Sequence, residues 1–503
     1  MTRKLGITSL IFITVTLFLK ISGLLRDMTI AFYFGDSYLA DAYLAAFIIP
    51  NMLFLFMING MKNALVPGYI DAKHANQGKN YLNQILKSIV YIGILFGLLG
   101  ALLSPVLIRV LYPAFNSEAT SIAVNVSIIL FAALMFVGIN SVMEAYLDAE
   151  NLFSLSAFSQ MIVILSSIAG AVLFAGELSV YSLALGYLVG SIISLIFKIP
   201  VLSKRNMINL GTKLNFPELS AFYRVFIPVA MTVMVGQINL AVDNVFASYF
   251  QEGVVTYINY AKNLVHFPQQ IFGITIATIM FPMLAKAMAA NDEPSFKRGI
   301  ENGLNVMYLV VLPAIVGMFV LMPNIISLVY QRGAFSEEAV INTSEVAYYY
   351  FGSVLFFSLN NVSNKGLYTL KKGHYVLIIG LITVVLNAVF NYIFTTWMGY
   401  VGIPLASSAV GLLYALACYI VFSKTINGLD HKHVLKEFTK ITLSVVIMGL
   451  AAYLLKTQVL HNFSDFLLII VIALAGALIY IICIWLFKVK ALKVLITNFR
   501  KKA

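Results

Sequence analysis

The chain has 503 residues, of which 61% are hydrophobic and 11% are charged, and its formal net charge is +12. Its mean hydropathy is +0.92. Soluble domains do not combine so much apolar surface with so little charge, so the composition predicts an all-α polytopic membrane protein. Apolar runs longer than about 20 residues favour spanning helices over the short alternating strands of a β-barrel.

The apolar runs predict fourteen transmembrane helices, which we number as spans in chain order. The spans are 5–34, 39–67, 83–111, 119–147, 153–175, 180–203, 221–250, 254–288, 303–331, 338–369, 373–396, 399–424, 436–456 and 463–487. The N-terminal run resembles a signal peptide, but it lacks a small-residue cleavage site, so we predict a retained first span. Cys418 and Cys483 both fall within spans and indicate small core residues rather than a disulfide.

Basic residues are concentrated in alternate loops. They are Lys73 and Lys79 after span two, Lys204, Arg205 and Lys213 after span six, Lys297 and Arg298 after span eight, Lys371 and Lys372 after span ten, Lys432 after span twelve, and Arg500, Lys501 and Lys502 at the end. The positive-inside rule then predicts that both termini are cytoplasmic, which an even number of spans also requires. Because topology accounts for most of the charge, we expect no nucleic-acid partner.

The sequence contains one internal repeat at an offset of about 216–220 residues. RDMTIAFYF at Arg26–Phe34 is similar to VDNVFASYF at Val242–Phe250, and three further matches follow in the same order. The offset contains six spans, an even number, which predicts two parallel six-helix lobes, as in transporters. The predicted domains are an N-lobe at 1–213, a C-lobe at 214–430, and an accessory pair of spans with a basic tail at 431–503.

Charged side chains inside the first two spans are candidate functional residues. A charge at the bilayer centre costs roughly 2.5–3.5 kcal/mol on insertion scales, so such residues usually face a protein interior or a wet cavity. Lys20, Arg26 and Lys62 would attract a diphosphate, with Asp27 and Asp41 nearby. The alternative is snorkelling or mutual pairing, for example of Arg26 with Asp41.

The second lobe carries neutral polar residues instead. Asp243, with Asn387 and Asn391 one turn apart on span eleven, offers hard oxygen ligands for a monovalent cation. The alternative is hydrogen bonding between helices, which polar residues in membrane bundles commonly make. His266 of span eight is interpreted as a satisfied interior histidine.

Three segments resemble the MviN/MurJ lipid II flippases of the multidrug/oligosaccharidyl-lipid/polysaccharide exporter superfamily. They are KISGLLRDMTIAFYFGDSYLADAYLAAFIIPN, YINYAKNLVHFPQQIFGITIATIMFPMLAK and LVYQRGAF. The resemblance covers the whole chain, and the span count and the repeat agree with it. It implies a transporter, not an enzyme, that moves undecaprenyl-diphosphate-linked peptidoglycan precursor from the inner to the outer leaflet of the bacterial plasma membrane by alternating access.

The resemblance also implies site residues. The first-span basic pair of the family falls on Lys20 and Arg26, and its second-span acid falls on Asp41, which would orient a basic partner or gate the cavity. The span-eight arginine of the family falls on Asn263, beside Lys262. The family also has an arginine shortly after the Pro-Asn of span two, where Phe54 and Leu55 follow Pro50 and Asn51 in this chain. Either Lys62 and Lys262 compensate for the two missing arginines, or the cargo is another polyprenyl-diphosphate saccharide.

Some members of the family bind sodium, at positions that match Asp243, Asn387, Asn391 and Ser407. The resemblance therefore implies no required cofactor, with sodium as a coupling ion, and a hydrophobic groove near spans thirteen and fourteen for the lipid tail. We expect a monomer that contacts membrane lipids and works within cell-wall synthesis complexes.

Rival functions remain at this point. The cargo could be a teichoic-acid, capsule or O-antigen precursor, or a drug, although a drug exporter should carry more acid and less base in its cavity. A membrane glycosyltransferase would need a catalytic acid or base in a sizeable outer loop, and the loops predicted here are too short.

Overall fold

The computed structural model describes residues 2–205, 207, 209, 211–272, 284, 286–426, 428–459 and 463–500, and its regular secondary structure over these residues is helical. The helices are α1 (Thr2–Phe34), α2 (Tyr38–His74), α3 (Gly78–Leu111), α4 (Ser117–Ala149), α5 (Phe153–Leu178), α6 (Tyr181–Lys204), α7 (Phe216–Ala247), α8 (Val254–Val265), α9 (Glu293–Tyr330), α10 (Glu337–Thr369), α11 (Gly373–Met398), α12 (Gly402–Thr425), α13 (His431–Leu454), α14 (Asp465–Leu486) and α15 (Lys490–Arg500). The prediction of an all-α polytopic membrane protein is confirmed.

Nine helices in the described part of the chain are long and apolar enough to cross a membrane, or ten if bent α7 counts as one span. One of the nine joins α11 and α12, which the 3₁₀ turn Gly399–Val401 connects. The predicted count of fourteen therefore stays a prediction. The predicted eighth span, 254–288, is described only in part, because residues 273–283 and 285 lie outside the described residues.

The chain divides into two compact units. The first comprises Met1–Thr256 with Arg332–Phe335, and the second comprises Tyr257–Gln331 with Ser336–Ala503. This division follows spatial contacts, whereas the predicted lobes at 1–213 and 214–430 follow the sequence repeat, so the lobe boundaries stay a prediction.

In the first unit, α4 packs against α2, α3 and α6, and α5 packs against α1 and α6. Small residues allow the helices to approach closely, as is usual in membrane bundles. A Cβ added at Gly186 of α6 would lie 2.8 Å from the Cα atom of Ser167 in α5. A Cβ added at Gly60 of α2 would lie 2.9 Å from the Cβ atom of Ala230 in α7.

In the second unit, α10 packs against α9 and α12, and α11 packs against α12. The α13–α14 pair contacts α9. A small cluster of Leu321, Ala452, Leu468 and Ile472 joins these three helices. Cys418 and Cys483 are buried and free, as expected for small core residues.

An acidic residue joins three helix ends in the first unit. Glu150 follows the last residue of α4, and its carboxylate accepts hydrogen bonds from Lys73 and Tyr69 of α2. Its second oxygen accepts a hydrogen bond from Arg205, just after α6, at 3.1 Å. Burial alone would raise the pKa of Glu150, but the hydrogen bond and charge of Lys73, with Tyr69 and Arg205, outweigh it and lower the pKa below its ordinary value.

This geometry predicts a pH-dependent contribution to stability. Because the folded pKa of Glu150 is lowered, its contribution is present above the unfolded pKa of about 4.3 and is lost as the pH falls through the folded pKa. The melting temperature of the purified protein should fall in Glu150→Gln at neutral pH, and the deficit should shrink on acidification. A deficit that is constant between neutral pH and pH values below the unfolded pKa would contradict this account.

Candidate functional site

Arg26 lies on α1 beside an aromatic cluster. Its Nε and Nη2 atoms donate to Asp27 Oδ1 at 3.3 and 3.0 Å. The guanidinium carbon lies 5.1 Å from the centroid of the Phe47 ring, a cation–π contact. The Phe47 ring in turn contacts Tyr43 and Tyr187. Asp27 and Phe47 thus fix the guanidinium plane, and Nη1 makes no hydrogen bond within the described part of the chain.

The two predicted lysines of the first unit have different surroundings. Lys62 pairs with Asp148 of α4 at 3.6 Å, and its side chain is 35% exposed. Lys20 is half-buried on α1, and none of the described residues forms an ion pair with it. The expected cationic excess is therefore smaller than the residue count implies, because Arg26 and Lys62 each have a carboxylate partner.

Asp41 does not pair with Arg26, contrary to the alternative considered above. Its carboxylate is 5% exposed and accepts hydrogen bonds from the amides of Gly253 and Thr256 at 2.7 and 2.8 Å. The Thr256 hydroxyl donates to Oδ1 at 2.6 Å. Since Val254 is the first residue of α8, Asp41 satisfies unpaired amides at the N-terminus of that helix.

The N-terminus of α2 is capped in turn by an acid that lies next to α8. The amide of Tyr38, the first residue of α2, donates to Glu252 Oε1 at 2.6 Å. Asp41 from α2 thus caps α8, and Glu252 from the turn before α8 caps α2. The sequence pointed to Asp41 but gave no sign that its partner would be a helix N-terminus 215 residues away.

The last four residues of the YQRGAF segment, Arg332–Phe335, belong to the first unit. The Ala334 amide donates to the carbonyl of Phe32 in α1 at 2.9 Å. Gly35 and Gly333 both have positive φ, and a Cβ on either would collide with backbone of the other segment. Only glycine fits such a close approach without strain, which explains why Gly35 and the Gly333 of YQRGAF are glycines.

In the second unit, Lys262 and Asn263 lie on α8. The Lys262 ammonium is 5.8 Å from the centroid of the Tyr350 ring, and Asn263 is exposed. His266 follows α8, with Nδ1 2.6 Å from Gln269 Oε1 and Nε2 3.1 Å from Ser353 Oγ. These contacts agree with a satisfied interior histidine.

Convergence of Lys262 with Lys20, Arg26 and Lys62 on one cavity stays a prediction, because these residues belong to different units.

The predicted sodium ligands are all buried. Asp243 belongs to the first unit, and Asn387, Asn391 and Ser407 belong to the second. Asn391 Nδ2 donates to Asn387 Oδ1 at 3.3 Å, so these two amides lie together as predicted. A carboxylate, two amides and a hydroxyl suit the preference of a hard cation for oxygen. No group of three or more His, Cys, Asp or Glu among the described residues could hold a metal ion.

An apolar cavity of about 400 Å³ lies between α9, α13 and α14 in the second unit. Pro313, Gly317, Met448 and Gly476 are among its lining residues. Asp465, at the start of α14, accepts hydrogen bonds from Asn324 and Ser327 of α9, both at 2.7 Å. The cavity occurs where the resemblance implies a groove for a lipid tail.

The sequence analysis missed a buried ion pair in the first unit. Lys198 of α6 and Glu144 of α4 are 3.1 Å apart, and their side chains are 0% and 3% exposed. Lys198 lies near the end of span six, where a lysine normally indicates a residue that snorkels to the interface. The available signal was the spacing of Glu144 and Asp148, one turn apart at the end of span four and just after it.

This chain is similar to known proteins over most of its length. A family model described as lipid II flippase MurJ matches residues 30–474. A probable lipid II flippase MurJ of Buchnera aphidicola subsp. Baizongia pistaciae is 26% identical over 460 residues, which is 89% of each chain. The lipid II flippase MurJ of Burkholderia cenocepacia is 26% identical over 425 residues, covering 81% of this chain and 82% of that one.

A solved structure of lipid II flippase MurJ in an inward closed conformation superposes with a TM-score of 0.80 at 25% identity. The match covers 95% of this chain and 98% of that one. The family predicted from the sequence is confirmed: the chain belongs to the lipid II flippase MurJ family.

Proposed function

We propose that this protein flips lipid II, the undecaprenyl-diphosphate-linked peptidoglycan precursor, from the inner to the outer leaflet of the bacterial plasma membrane by alternating access. The family match over residues 30–474 carries this proposal. The protein acts as a transporter, not an enzyme, with both termini in the cytoplasm. It requires no cofactor and works as a monomer within cell-wall synthesis complexes.

The head-group diphosphate contacts Arg26 and Lys20. Support comes from the Arg26 guanidinium, whose orientation is fixed by Asp27 and Phe47 while Nη1 makes no hydrogen bond to the described residues. An oriented guanidinium binds phosphate oxygens in a fork, and a lysine adds a point charge. Lys62, Lys262 and Asn263 contribute further donors, and the apolar cavity beside α14 accommodates part of the polyprenyl tail.

Asp41 acts in gating rather than in binding. Its three hydrogen bonds hold the N-terminus of α8 against the start of α2, and the cap from Glu252 doubles this contact. With cytoplasmic termini, this end of the first unit lies on the outer side of the membrane. Opening toward that side breaks the two caps, so their strength sets the population of the outward-open state.

Two sources of energy are compatible with these charges. The membrane potential acts on cavity charges with about 2.3 kcal/mol per charge per 100 mV. Sodium, bound by Asp243, Asn387, Asn391 and Ser407, is the second source, supported by the burial of all four residues.

Neutralising Arg26 tests the head-group site. Arg26→Ala alone would remove the arginine partner of the buried Asp27 carboxylate, so the matched variant is the double change Arg26→Gln and Asp27→Asn, which removes both charges. We expect this variant to be made and folded but unable to rescue a flippase-depleted strain or to expose lipid II at the cell surface.

Arg224→Gln, at an exposed position of α7, is the control and should rescue fully. A lipid-linked teichoic-acid precursor serves as the control cargo. Full rescue by the double variant would show that the mechanism does not need Arg26. If the wild-type protein exposed the teichoic-acid precursor at the cell surface instead of lipid II, the teichoic-acid precursor would be the cargo.

Asp41→Asn tests the gate. Asparagine keeps one acceptor oxygen but loses the charge that strengthens three hydrogen bonds, each worth about 1.5–3 kcal/mol when charge-assisted. We expect faster hydrogen exchange at the amides of Gly253 and Thr256 in Asp41→Asn, measured by mass spectrometry. Asp71→Asn, at the exposed far end of α2, should leave exchange there unchanged. If the amides of Gly253 and Thr256 exchanged equally slowly in both variants, Asp41 would not be what holds the start of α8 against α2.

Replacing external sodium with potassium tests the cation set. We expect lipid II flipping in proteoliposomes at clamped membrane potential to slow without sodium, and Asn391→Ala to abolish the difference. Identical flipping rates in sodium and in potassium would show that the four proposed sodium ligands serve only as hydrogen-bonding groups between helices.

A further inference from the structure

A run of acidic side chains follows α4 toward its C-terminal end. Glu144 and Asp148 are one turn apart, and Glu150 follows the helix. Each faces basic groups from neighbouring helices: Lys198 for Glu144, Lys62 for Asp148, and Lys73 with Arg205 for Glu150. The exposed fraction of the lysines rises from 0% at Lys198 to 35% at Lys62 and 55% at Lys73. The run therefore connects the surface with the interior of the first unit.

At the inner end of this run, the lysine is fully satisfied. The Lys198 ammonium donates to Glu144 Oε1, to Ser159 Oγ and to Ser194 Oγ, each at 3.1 Å. The ammonium thus has an acceptor for each of its three protons. The Ser159 hydroxyl lies 3.2 Å from the same Glu144 oxygen.

The glutamate is only half satisfied. Its second oxygen, Oε2, is buried and has no hydrogen-bond partner in the described part of the chain, and the same holds for the Nε2 atom of Gln160 on α5. A buried carboxylate oxygen without a donor costs free energy, since folding removes the water that solvated it. Natural structures keep such an atom where something else occupies it or where it has a function.

The charges of Glu144 and Lys198 determine which cation can bind at Glu144 Oε2. A metal cation at Oε2 would be repelled by the Lys198 ammonium, which already holds the other oxygen at 3.1 Å. A proton on Oε2 forms a covalent O–H bond and converts the carboxylate into a neutral acid. Lys198 retains its own proton and its acceptors Ser159 and Ser194.

The charged and titratable groups that neighbouring helices bring to this run are Lys62, Tyr69 and Lys73 of α2, Tyr187 and Lys198 of α6, and Arg205 after α6. From α5, the polar residues are Ser156, Ser159 and Gln160, which do not titrate. The buried polar groups of α3 are Asn83, Gln84, Ser88 and Ser104, which do not titrate either.

We propose that Glu144, paired with Lys198, is a proton-binding site, and that protons reach it from the surface along Glu150 and Asp148. Uptake changes the net charge of the pair from zero to +1. That charge is costly in the interior, and an anion bound at Arg26 offsets the cost. Tyr187 of α6, the helix that carries Lys198, contacts the Phe47 ring over which the Arg26 guanidinium lies. Proton uptake and diphosphate binding therefore favour each other. This coupling rests on the proposed function, whereas the proton site does not.

The proton site is tested by infrared difference spectroscopy on purified protein, without cargo. Acidification should produce the bands of protonated carboxylic acids, and the component that Glu144 contributes should be missing in the double variant Glu144→Gln with Lys198→Met. Removing both charges avoids a stranded buried ion, so the double variant should fold. The control Glu293→Gln with Lys297→Met removes a pair on α9 whose side chains are 57% and 25% exposed, and it should keep that component.

The route is tested with Asp148→Asn, which should slow deuterium exchange of the Glu144 carboxyl several-fold. An unchanged band in the double variant overturns the proton site, and an unchanged exchange rate in Asp148→Asn overturns the route. Neither readout depends on lipid II, so both are distinct from a failure of the proposed function.

The coupling is tested in proteoliposomes at zero membrane potential. A pH gradient should change the lipid II flipping rate of the wild type several-fold and leave that of the double variant unaffected. An equal response of the two proteins would show that the pair is a structural tie between α4 and α6.

Discussion

The cost of burying charge governs the first unit. Ionised side chains lose their hydration in an apolar interior, and the loss is offset only by a counter-charge in good geometry with its remaining hydrogen bonds satisfied. Arg26, Lys62 and Lys198 each meet a carboxylate, from Asp27, Asp148 and Glu144 respectively. The arrangement ties α2, α4 and α6 together, and none of the described residues forms an ion pair with the half-buried Lys20.

One-for-one pairing does not remove the ability to bind an anion. The contact of Arg26 with Asp27 uses Nε and Nη2 and a single carboxylate oxygen, so the guanidinium keeps N–H groups for phosphate. Pairing lowers the net charge of the empty site, which makes it stable without cargo, and it orients the donors in advance. A transporter must release its cargo, so an oriented donor with moderate net charge suits alternating access better than an unpaired cluster that holds a diphosphate permanently.

The sequence predicted the helical class and the family, because apolar run length and motifs are local properties, and its embedded charges singled out Arg26 and Asp41 as candidates whose roles stay a prediction. It could not predict the partner of Asp41, since the cap on α8 depends on a contact between residues 215 positions apart. It also missed Lys198, because lysines near span ends usually snorkel, and only the packing of α6 against α4 and α5 reveals that this one is buried.

The two reciprocal caps deserve comparison with the predicted repeat. Asp41 bonds to Thr256 across 215 positions, and Tyr38 bonds to Glu252 across 214, close to the repeat offset of 216–220 found in the sequence. An acid from α2 therefore caps α8, and an acid just before α8 caps α2. A carboxylate at a helix N-terminus gains from both unpaired amides and the helix dipole, and water can replace it when the helix moves away. Such a contact holds one state through its hydrogen bonds, and it can break without leaving unpaired polar groups if water replaces the carboxylate, which is the energetic requirement for a gate.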